Sequence, residues 1–330
     1  MPSHEIVIVG AAPAGSLAAL VLARAGHSVA LLDRAAFPRQ KVCGNCINPS
    51  AWKIWRQLGL TDSFSALPHR EFTGFAVHIE GRPIYEYEFR PPNQGPRSVS
   101  RDVLDDWLRI EAQKSGAEFL PETIVRGIDA KNGTVQTSRG EFSGRLIIGA
   151  DGRNSLVARQ SGLMPPPRRC HRVAWKTSIP APPNLDDRVH MHLFEEGYFG
   201  YSRSSPTEAV LSMVLDSRRS QDPMLLVRRA FPQLRPPEWL RMNPITRGPA
   251  CPGDGRVWLV GDAARVVEPF TGQGIVFALT TGLLAAEAAI TGLAQDNLAP
   301  ALATYSRSHR QLYRECNPKL WITFFMRRCQ

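Results

Sequence analysis

Two cysteines at a C-x-x-C spacing are the first residues whose chemistry stands out. Cys43 and Cys46 lie in the segment KVCGNCINP, residues 41–49. A pair at this spacing can bind zinc, cycle as a disulfide, or combine one reactive thiol with an inert neighbour. Zinc would need a second pair of ligands, and the four other cysteines are scattered without a matching motif. The elements around the segment must decide between these possibilities.

The N-terminal residues predict a nucleotide-binding unit. HEIVIVG is a short β-branched apolar run, typical of a strand buried on both faces. AAPAGSLAALVLARAG continues as a helix that stops at Gly26, and HSVALLD is a second apolar strand that ends at Asp33. Strand, glycine turn, helix, strand and acid in this order form a βαβ dinucleotide-binding unit.

The turn of this unit carries a dinucleotide fingerprint with one departure. Gly10 permits the tight turn, and Gly15 lets the helix pack closely on the strand. Ala12 stands where a glycine normally lets the backbone approach a pyrophosphate. Asp33 is at the right distance from Gly10 to hydrogen-bond an adenosine ribose. We expect these residues to bind a dinucleotide: Gly10, Ala12, Pro13, Ala14, Gly15, Asp33 and Arg34.

Two later segments extend this region. RLIIGAD is a third buried strand that ends at Asp151, and RVWLVGD is a final strand that ends at Asp262. The Asp262 carboxylate could accept a hydrogen bond from a sugar hydroxyl, and its structural alternative is the N-cap of a helix. The structural role open to Asp151 is a tight turn with Gly152. Gly272, Gln273 and Gly274 then lead into a helix, whose free N–H groups and dipole suit an anion.

The longest apolar run, from Gly274 to Ala294, has the length of a membrane span. It contains Glu287, three threonines and three glycines. A buried helix is therefore the better interpretation.

Composition sets broad limits on function. The chain has 330 residues, of which 43% are hydrophobic and 21% charged, with a net charge of +10. This charge favours anionic partners such as phosphates or an acidic membrane surface. The arginines are scattered and no nucleic-acid module accompanies them, so no nucleic-acid partner is expected. Scattered cysteines and the lack of a secretory signal predict a cytoplasmic setting.

The nucleotide-binding segments are separated by sheet-like sequence. Residues 71–89 alternate as in an antiparallel hairpin, and RVHMHLF, YFGYSR and AVLSMVL suggest successive strands of one sheet. We predict an α/β protein with a discontinuous Rossmann-like domain and an inserted, mostly antiparallel substrate-binding domain. The predicted bounds are 1–70, 97–165 and 250–330 for the first domain, and 71–96 and 166–249 for the second.

Three motifs in order resemble a known superfamily. GADGRNS and VWLVGDAARVVEPFTGQGI are similar to two signatures of the class A flavoprotein monooxygenases, which have the aromatic-hydroxylase fold. With the N-terminal fingerprint they cover both ends of that family's FAD domain. The resemblance implies an FAD-dependent enzyme whose second domain covers the reactive face of the flavin. Only one dinucleotide fingerprint is present, so NAD(P)H is expected as a transient reductant, with a protein electron donor as the alternative.

The resemblance also implies further FAD contacts. Asp151 would touch FAD and assist the transient nicotinamide cofactor, and Arg101 in SRDVLDDWL matches an arginine near the FAD phosphates. The helix N-terminus after Gly272 suits the N1–O2 edge of a reduced flavin. The remaining expected contacts are Lys41, Cys43, Gly44, Val125, Gly261, Asp262, Pro269, Gly272, Gly274 and Ile275. No metal is expected.

The cysteine segment indicates the branch of the superfamily. PRQKVCGNCINPSA resembles the P-x-x-K-x-C-G segment of the geranylgeranyl reductase-like group, in which a cysteine lies beside the flavin. Pro38, Lys41, Cys43 and Gly44 match, and Cys46 falls where the group often has another small residue. The group reduces isolated double bonds of isoprenoid chains by hydride transfer. The resemblance therefore favours Cys43 as a single working thiol.

The same group often carries a Y-x-W-x-F-P motif in its active-site wall. GYFGYSRSS, residues 197–205, is the corresponding stretch. Tyr198 is kept, Tyr201 stands in the tryptophan's place, and the F-P ending is lost, which puts a geranylgeranyl substrate in question. Cys43, Tyr198 and Tyr201 are the expected catalytic residues.

Two enzymatic hypotheses remain open. The first is an FAD-dependent reductase or dehydrogenase acting on an apolar isoprenoid or polyketide-like substrate. The second is an NAD(P)H-dependent hydroxylase of an aromatic ring. A flavin halogenase is less favoured because no W-x-W-x-I-P stretch is present. A basic zinc-binding module would leave the three FAD motifs unexplained.

Two other features are weaker. His190 and His192 alternate on a predicted strand and could begin a metal site, but a sheet surface or substrate pocket is the better interpretation because no third ligand is evident. The C-terminal LWITFFMRR is apolar and then basic, which is compatible with peripheral contact with a membrane. Docking on the FAD domain is the alternative that we favour.

Overall fold

The chain forms two compact units. The computed structural model describes residues 4–41, 43–89, 95–165, 171–182, 184–235, 238–242 and 248–315. Unit 1 comprises Met1–Arg39, Leu104–Arg168 and Arg247–Gln330, and unit 2 comprises Gln40–Val103 and Arg169–Thr246.

The described residues form both strands and helices in each unit. The strands are β1 (Ile6–Val9), β2 (Val29–Leu32), β3 (Cys46–Ile47), β4 (Arg70–Glu71), β5 (Gly74–Ile79), β6 (Arg82–Glu88), β7 (Arg97–Ser98), β8 (Glu118–Leu120), β9 (Val125–Asp129), β10 (Thr134–Thr137), β11 (Gly140–Ser143), β12 (Leu146–Gly149), β13 (Arg172–Pro180), β14 (Arg188–Phe194), β15 (Gly197–Arg203), β16 (Glu208–Asp216), β17 (Leu240–Met242), β18 (Gly253–Asp254) and β19 (Val257–Leu259). The α-helices are α1 (Pro13–Arg24), α2 (Ala51–Gln57), α3 (Thr61–Ser65), α4 (Arg101–Lys114), α5 (Leu156–Gln160), α6 (Met224–Ala230), α7 (Gly274–Ala294) and α8 (Leu298–Glu315). Short 3-10 helices span Gly261–Ala263 and Pro269–Thr271.

Unit 1 is built on a six-stranded sheet in the order β18-β19-β12-β1-β2-β8. The pairings from β19 to β8 are parallel, and only the β18–β19 pairing is antiparallel. β1, β2, β12 and β19 are fully buried, as expected for parallel strands covered on both faces. The carboxyl ends of these four strands share one edge of the sheet, which we call the dinucleotide edge. The predicted Rossmann-like domain is thereby confirmed.

Helix α7 lies in the interior of unit 1. It is the one described helix that is long and apolar enough to cross a membrane. Within unit 1 it packs against α1 and α8. A Cβ at Gly282 would lie 2.4 Å from the carbonyl oxygen of Ala14, so the absence of a side chain permits the close contact with α1. The packing is that of the predicted buried helix.

Unit 2 is built on a seven-stranded sheet in the order β17-β13-β16-β15-β14-β5-β6. The predicted hairpin is β5–β6, and the three predicted successive strands are β14, β15 and β16. All pairings are antiparallel except β5 with β14, which run parallel. The fold class, with a mostly antiparallel second sheet, is therefore as predicted.

The two faces of this sheet differ in chemistry. One face holds an apolar cluster that includes Phe199, Leu211 and Met213 and is covered by α6. Because side chains alternate along a strand, the neighbours Gly200 and Ser212 lie on the opposite face. We call this opposite face the Lys176 face; its cross-strand neighbours are Lys176, Tyr198, Gly200, Ser212 and Val214.

The observed units divide the chain differently from the predicted domains. Residues 40–70 and 97–103, predicted to belong to the FAD domain, group with unit 2. The reason is a small three-stranded sheet in which β7 pairs with both β3 and β4. In addition, the Arg70 guanidinium bonds the Asp187 carboxylate at 2.7 Å, which ties this segment to the larger sheet. Short strands of two residues leave too little periodicity for a sequence pattern to show.

A buried histidine of unit 2 predicts acid sensitivity. His192 is 5% exposed and stacks between His78 at 4.2 Å and Phe199 at 4.6 Å. Burial lowers the pKa of His192 to about 3, with His78 and His190 adding to the effect. A protonated form is therefore favoured only in the unfolded chain. The contribution of neutral His192 to the free energy of unfolding is complete above about pH 6.5, and it is lost as the pH falls from about 6.5 towards 3.

We expect His192→Phe to weaken this acid sensitivity because Phe keeps the ring stack and cannot be protonated. The free energy of unfolding in urea should fall by about 2 kcal/mol less between pH 7.5 and 5 than in the wild type. His69→Gln, at an exposed histidine, is the control. Burial also lowers the pKa of His309 to about 4, so some sensitivity should remain. If the free energy of unfolding of His192→Phe depended on pH as in the wild type, His192 would not be the source of the acid sensitivity.

Candidate active site

The dinucleotide edge begins with two glycines that bring backbone segments unusually close. Gly10 has φ of 108°, a conformation that favours glycine. A Cβ at Gly10 would lie 2.4 Å from the Ala150 oxygen, and one at Gly15 would lie 1.9 Å from the Gly10 oxygen. No side chain fits at either position. The turn therefore presents bare backbone, as a pyrophosphate contact requires.

Asp33 closes the adjacent strand and holds the turn in place. Its Oδ2 accepts a hydrogen bond from the Ala11 N–H at 2.8 Å, and its Oδ1 accepts one from the Ala35 N–H at 2.9 Å. The side chain is 8% exposed. The carboxylate thus lies at the carboxyl end of β2, where the sequence predicts a ribose contact. Arg34, next in the chain, is exposed.

Asp33 belongs to a chain of ion pairs that the sequence motifs did not indicate. The Arg39 guanidinium lies 3.2 Å from the carboxylate of Asp105 and 3.9 Å from that of Asp33. Asp105 is fully buried on α4. Its position in the sequence, between the apolar residues Leu104 and Trp107, could have indicated that this aspartate is buried. Arg39 gives the buried carboxylates a positive partner and so helps to fix Asp33.

Two helix N-termini lie without side-chain caps in unit 1. At α1 the N-cap is Ala12, followed by Pro13, and no side chain bonds the first turn. At α7 the N-cap is Gln273, again without a side-chain cap bond, and Gly272 before it has φ of 64°. Uncapped N–H groups at a helix start are suited to an anionic or electron-rich group. Both positions match the predicted FAD contacts.

Asp151 has a structural role at the start of a helix, and the FAD contact predicted for it stays a prediction. Its Oδ2 accepts hydrogen bonds from the Leu156 and Val157 N–H groups at 2.6 and 3.1 Å, which caps helix α5. Its Oδ1 is buried and has no partner in the described structure. Burial raises the pKa of Asp151, although hydrogen bonds to Ser155 and the backbone act the other way. The free oxygen is a group that a bound cofactor could satisfy.

The segment after β19 contains two further residues that the sequence predicts as FAD contacts, Gly261 and Asp262. Asp262 lies within the 3-10 helix Gly261–Ala263, so it is not the N-cap of α7. The Gly261 N–H donates to Thr281 Oγ1 at 2.9 Å and is not available as a cofactor donor. A Cβ at Gly261 would lie 3.0 Å from the Ala14 Cβ, so this glycine serves close packing.

Three other predicted contacts occupy different environments in unit 1. Pro269 is exposed and begins the second 3-10 helix. Ile275 is buried in the first turn of α7, directly after Gly274. Val125 begins β9 and packs against the apolar core of unit 1, which gives it a structural role.

The remaining predicted contacts belong to unit 2. Lys41 and Cys43 are partly buried, and Arg101 is buried as the first residue of α4. A Cβ at Gly44 would lie 3.7 Å from Ser212 Oγ, so the cysteine segment runs over the Lys176 face. Cys43 and Gly44 are therefore next to polar groups of the sheet that the sequence pattern did not connect to them.

The two cysteines differ in environment. Both are free. Burial, with a smaller contribution from the neighbouring Cys43, raises the pKa of the Cys46 thiol to about 12. Cys46 lies in β3 opposite Ser98 and stays protonated at neutral pH. Within the described ranges, no group of three or more His, Cys, Asp or Glu side chains is arranged to hold a metal.

The two tyrosines predicted to be catalytic lie on opposite faces of the sheet, so the prediction is wrong for Tyr201. Tyr198 lies on the Lys176 face, with the Arg172 guanidinium 5.7 Å from its ring centre. Tyr201 lies on the opposite face, in the apolar cluster under α6, where its ring is 5.2 Å from that of Phe231. Burial raises the pKa of Tyr201 to about 12. Because residues three apart on a strand face opposite ways, only Tyr198 remains a candidate.

The histidines predicted on β14 form a small stack with a third. His78 Nε2 and His190 Nδ1 are 3.3 Å apart, and His190 Nε2 is 2.7 Å from Asp186. His192 packs on Phe199 in the apolar cluster. His190 is partly buried, whereas His192 is a buried core residue and not the surface or pocket histidine that the sequence favoured.

Comparisons with known proteins agree with this geometry. A family model described as an FAD binding domain matches residues 3–221, and the chain belongs to that family. It is 32% identical to a menaquinone reductase of Mycobacterium tuberculosis, over 86% of this chain and 76% of the relative. It is 31% identical to a geranylgeranyl diphosphate reductase of Rhodobacter capsulatus, over 94% and 82%.

A solved structure shares the fold. The crystal structure of Pseudomonas aeruginosa PqsL in complex with 2-aminobenzoylacetate matches with a TM-score of 0.80 and 19% identity, over 95% of this chain and 94% of that one. The chain is thus an FAD-dependent oxidoreductase with the aromatic-hydroxylase fold, and its relatives include the geranylgeranyl reductases that the cysteine segment predicted.

We expect Asp33→Ala to weaken FAD binding. Loss of the carboxylate removes an acceptor for a ribose hydroxyl and frees the Ala11 N–H that holds the turn. Hydrogen bonds to charged groups predict a loss of affinity of roughly tenfold or more. The dissociation constant can be measured from the recovery of FAD fluorescence on release. The control is Asp254→Ala at an exposed carboxylate; unchanged affinity in folded Asp33→Ala would remove Asp33 from the site.

The cysteine variants should separate the two thiols. We expect Cys43→Ser to retain FAD, measured by flavin absorbance, and to lose most of its turnover. Cys46→Ser should be milder, because Cys46 is a buried protonated thiol. Equal loss in the two variants would instead indicate a working dithiol pair.

Proposed function

We propose that the chain reduces a carbon–carbon double bond of an apolar, isoprenoid or polyketide-like substrate, with reduced FAD as the hydride donor. The observation that carries the proposal is the identity above 30%, over most of both chains, with two enzymes named as reductases of isoprenoid-bearing molecules. The match to the P-x-x-K-x-C-G segment of the reductase group supports the same activity.

The residues of unit 1 fit FAD. In the proposal, the bare turn at Gly10 and the uncapped start of α1 bind the pyrophosphate, and Asp33 binds the adenosine ribose. Asp262 and the α7 N-terminus, beginning at Gly274, hold the ribityl and flavin end. The bound flavin would supply the two-electron chemistry, while these residues bind and orient it.

The residues of unit 2 are proposed to act on the substrate. Cys43 and Gly44 pass over the Lys176 face, to which Tyr198 also belongs. Arg101 and Lys41 are proposed to assist cofactor binding through their positive charges. Tyr201 has no part in this proposal because it lies in the apolar core.

NAD(P)H is the proposed transient reductant, because a second dinucleotide fingerprint is not evident in the sequence. The proposed setting is the cytoplasm, with peripheral contact with a membrane, since an isoprenoid substrate would be held in lipid. The apolar and basic stretch LWITFFMRR, on which the membrane contact partly rests, lies outside the described residues.

A second candidate function is the NAD(P)H-dependent hydroxylation of an aromatic ring. The structural likeness to PqsL, crystallised with an aromatic compound, favours it. At 19% identity this likeness concerns the fold, whereas the reductase relatives exceed 30%.

Anaerobic reduction followed by air should separate the two functions. We expect the FAD-loaded protein, reduced with NAD(P)H or light under argon, to be reoxidised by an unsaturated isoprenoid compound in the absence of oxygen. The measurement is the return of oxidised-flavin absorbance together with mass spectrometry of the saturated product. A long-lived oxygen adduct of the flavin and substrate-stimulated NAD(P)H oxidation in air would favour the hydroxylase instead. A purified protein that takes up no FAD would contradict both.

A further inference from the structure

The Lys176 face contains a buried lysine that the proposed function has not used. Lys176 lies in the middle of β13 and is 8% exposed. Within the described ranges its ammonium makes no hydrogen bond and no ion pair. Lysine is rarely buried without a partner, because removing the charge from water is costly.

Three ionisable side chains lie near Lys176. Burial lowers its pKa; among its neighbours, Cys43 and Asp102 raise it and Arg101 lowers it. One oxygen of Asp102 accepts a hydrogen bond from Gln40 at 3.3 Å. The lysine therefore has mixed charges nearby, and none of them forms a direct bond to its ammonium in the described structure.

A second polar group next to Lys176 also lacks a partner. Lys176 pairs with Ser212 across β13 and β16, and Ser212 pairs with Gly200 of β15. Ser212 Oγ is buried and has no hydrogen-bond partner in the described structure. Side chains directly opposite on antiparallel strands have Cβ atoms about 5 Å apart. The lysine and serine side chains thus start as neighbours on one face of the sheet, and each ends in a group that can donate a hydrogen bond.

On the sheet itself, small and apolar residues flank the pair. Gly200, the next residue in the row, has no side chain, and the flanking residues Ala174, Val210 and Val214 on this face are small and apolar. Gly44 approaches the row from the cysteine segment. A few polar groups on a largely apolar surface are the usual means by which a site orients an apolar ligand.

We propose that Lys176 and Ser212 bind a carbonyl oxygen of the substrate, conjugated to the double bond that is reduced. This inference rests on the proposed reductase function and specifies its substrate class further, to a double bond that is conjugated to a carbonyl group. Hydride addition forms a C–H bond at the carbon β to the carbonyl, and the π electrons of the C=C bond move to make an enolate. Lys176 stabilises the enolate oxygen and donates a proton to it, which water replaces on the lysine. The resulting enol becomes the saturated ketone when its α carbon gains a proton from water and its oxygen releases one.

Binding of two matched probes to the oxidised, FAD-loaded protein tests the proposal without turnover. Pseudoionone is an acyclic isoprenoid ketone with conjugated double bonds, and β-farnesene is a similar hydrocarbon without oxygen. Dissociation constants can be taken from the change in flavin absorbance on titration. In the wild type, the absorption band of bound pseudoionone should shift to longer wavelength, because a charged donor at the oxygen stabilises its excited state.

We expect Lys176→Met to weaken pseudoionone binding roughly ten- to hundredfold and to abolish its red shift. β-Farnesene affinity should stay within about twofold, since it has no oxygen to lose. Ser212→Ala should weaken pseudoionone binding by a smaller factor, roughly threefold to tenfold. Lys176→Arg, which keeps the charge, should retain the red shift. The control is Lys114→Met at a lysine whose side chain is 66% exposed.

Equal weakening of both probes in Lys176→Met, or pseudoionone binding like the wild type, would overturn the proposal. If Lys176→Met does not fold, Ser212→Ala and Lys176→Arg carry the same test. Failure here is distinct from failure of the reductase function. A protein that reduces both probes irrespective of Lys176 would keep the function and lose the carbonyl site. A protein with a Lys176-dependent red shift that reduces neither would keep the site and lose the function.

Discussion

The close approach of backbone to backbone around the β1–α1 turn is the constraint on which unit 1 depends. Gly10 and Gly15 leave no room for a Cβ, and Gly282 of α7 meets the Ala14 carbonyl in the same way. Asp33 then ties the turn to the end of β2 through the Ala11 N–H. Strand, turn and two helices are therefore held together by contacts that only small residues allow. The same contacts keep bulky side chains away from the turn, so that a dinucleotide can approach its backbone.

In unit 2 the two faces of one sheet have different roles: one packs the core and the other carries polar groups. The face under α6 is an apolar cluster that includes Phe199 and Tyr201 and supplies the packing energy of the unit. The Lys176 face carries groups that are costly to bury, namely an unpaired ammonium and an unbonded serine hydroxyl. Such costs are usually retained where a ligand relieves them. The alternation of a strand lets the same few residues serve stability on one side and recognition on the other.

The candidate site was only partly predictable, and the reason differs between residues. Asp33 followed from a strand–turn–helix–strand order whose spacing is local in the chain. Arg39 and Asp105 were missed because their ion pair joins residues far apart in the sequence. Tyr201 was predicted as catalytic because it was matched to the tryptophan of a Y-x-W motif. It lies three residues after Tyr198 instead of two, so the pleat of β15 turns it into the core. Lys176 gave no signal, since one lysine in an alternating strand is ordinarily exposed.

The sequence by itself determined the order of the elements, the dinucleotide fold of unit 1 and the membership of an FAD-dependent family, because these depend on local periodicity and on motifs within single turns. Only the tertiary structure decided which unit contains the cysteine segment, which tyrosine faces the polar side, and that Lys176 and Ser212 are neighbours. The physical reason is strand pairing. Register across a sheet joins residues that are distant in the chain, and it is set by packing of the whole sheet rather than by any short stretch.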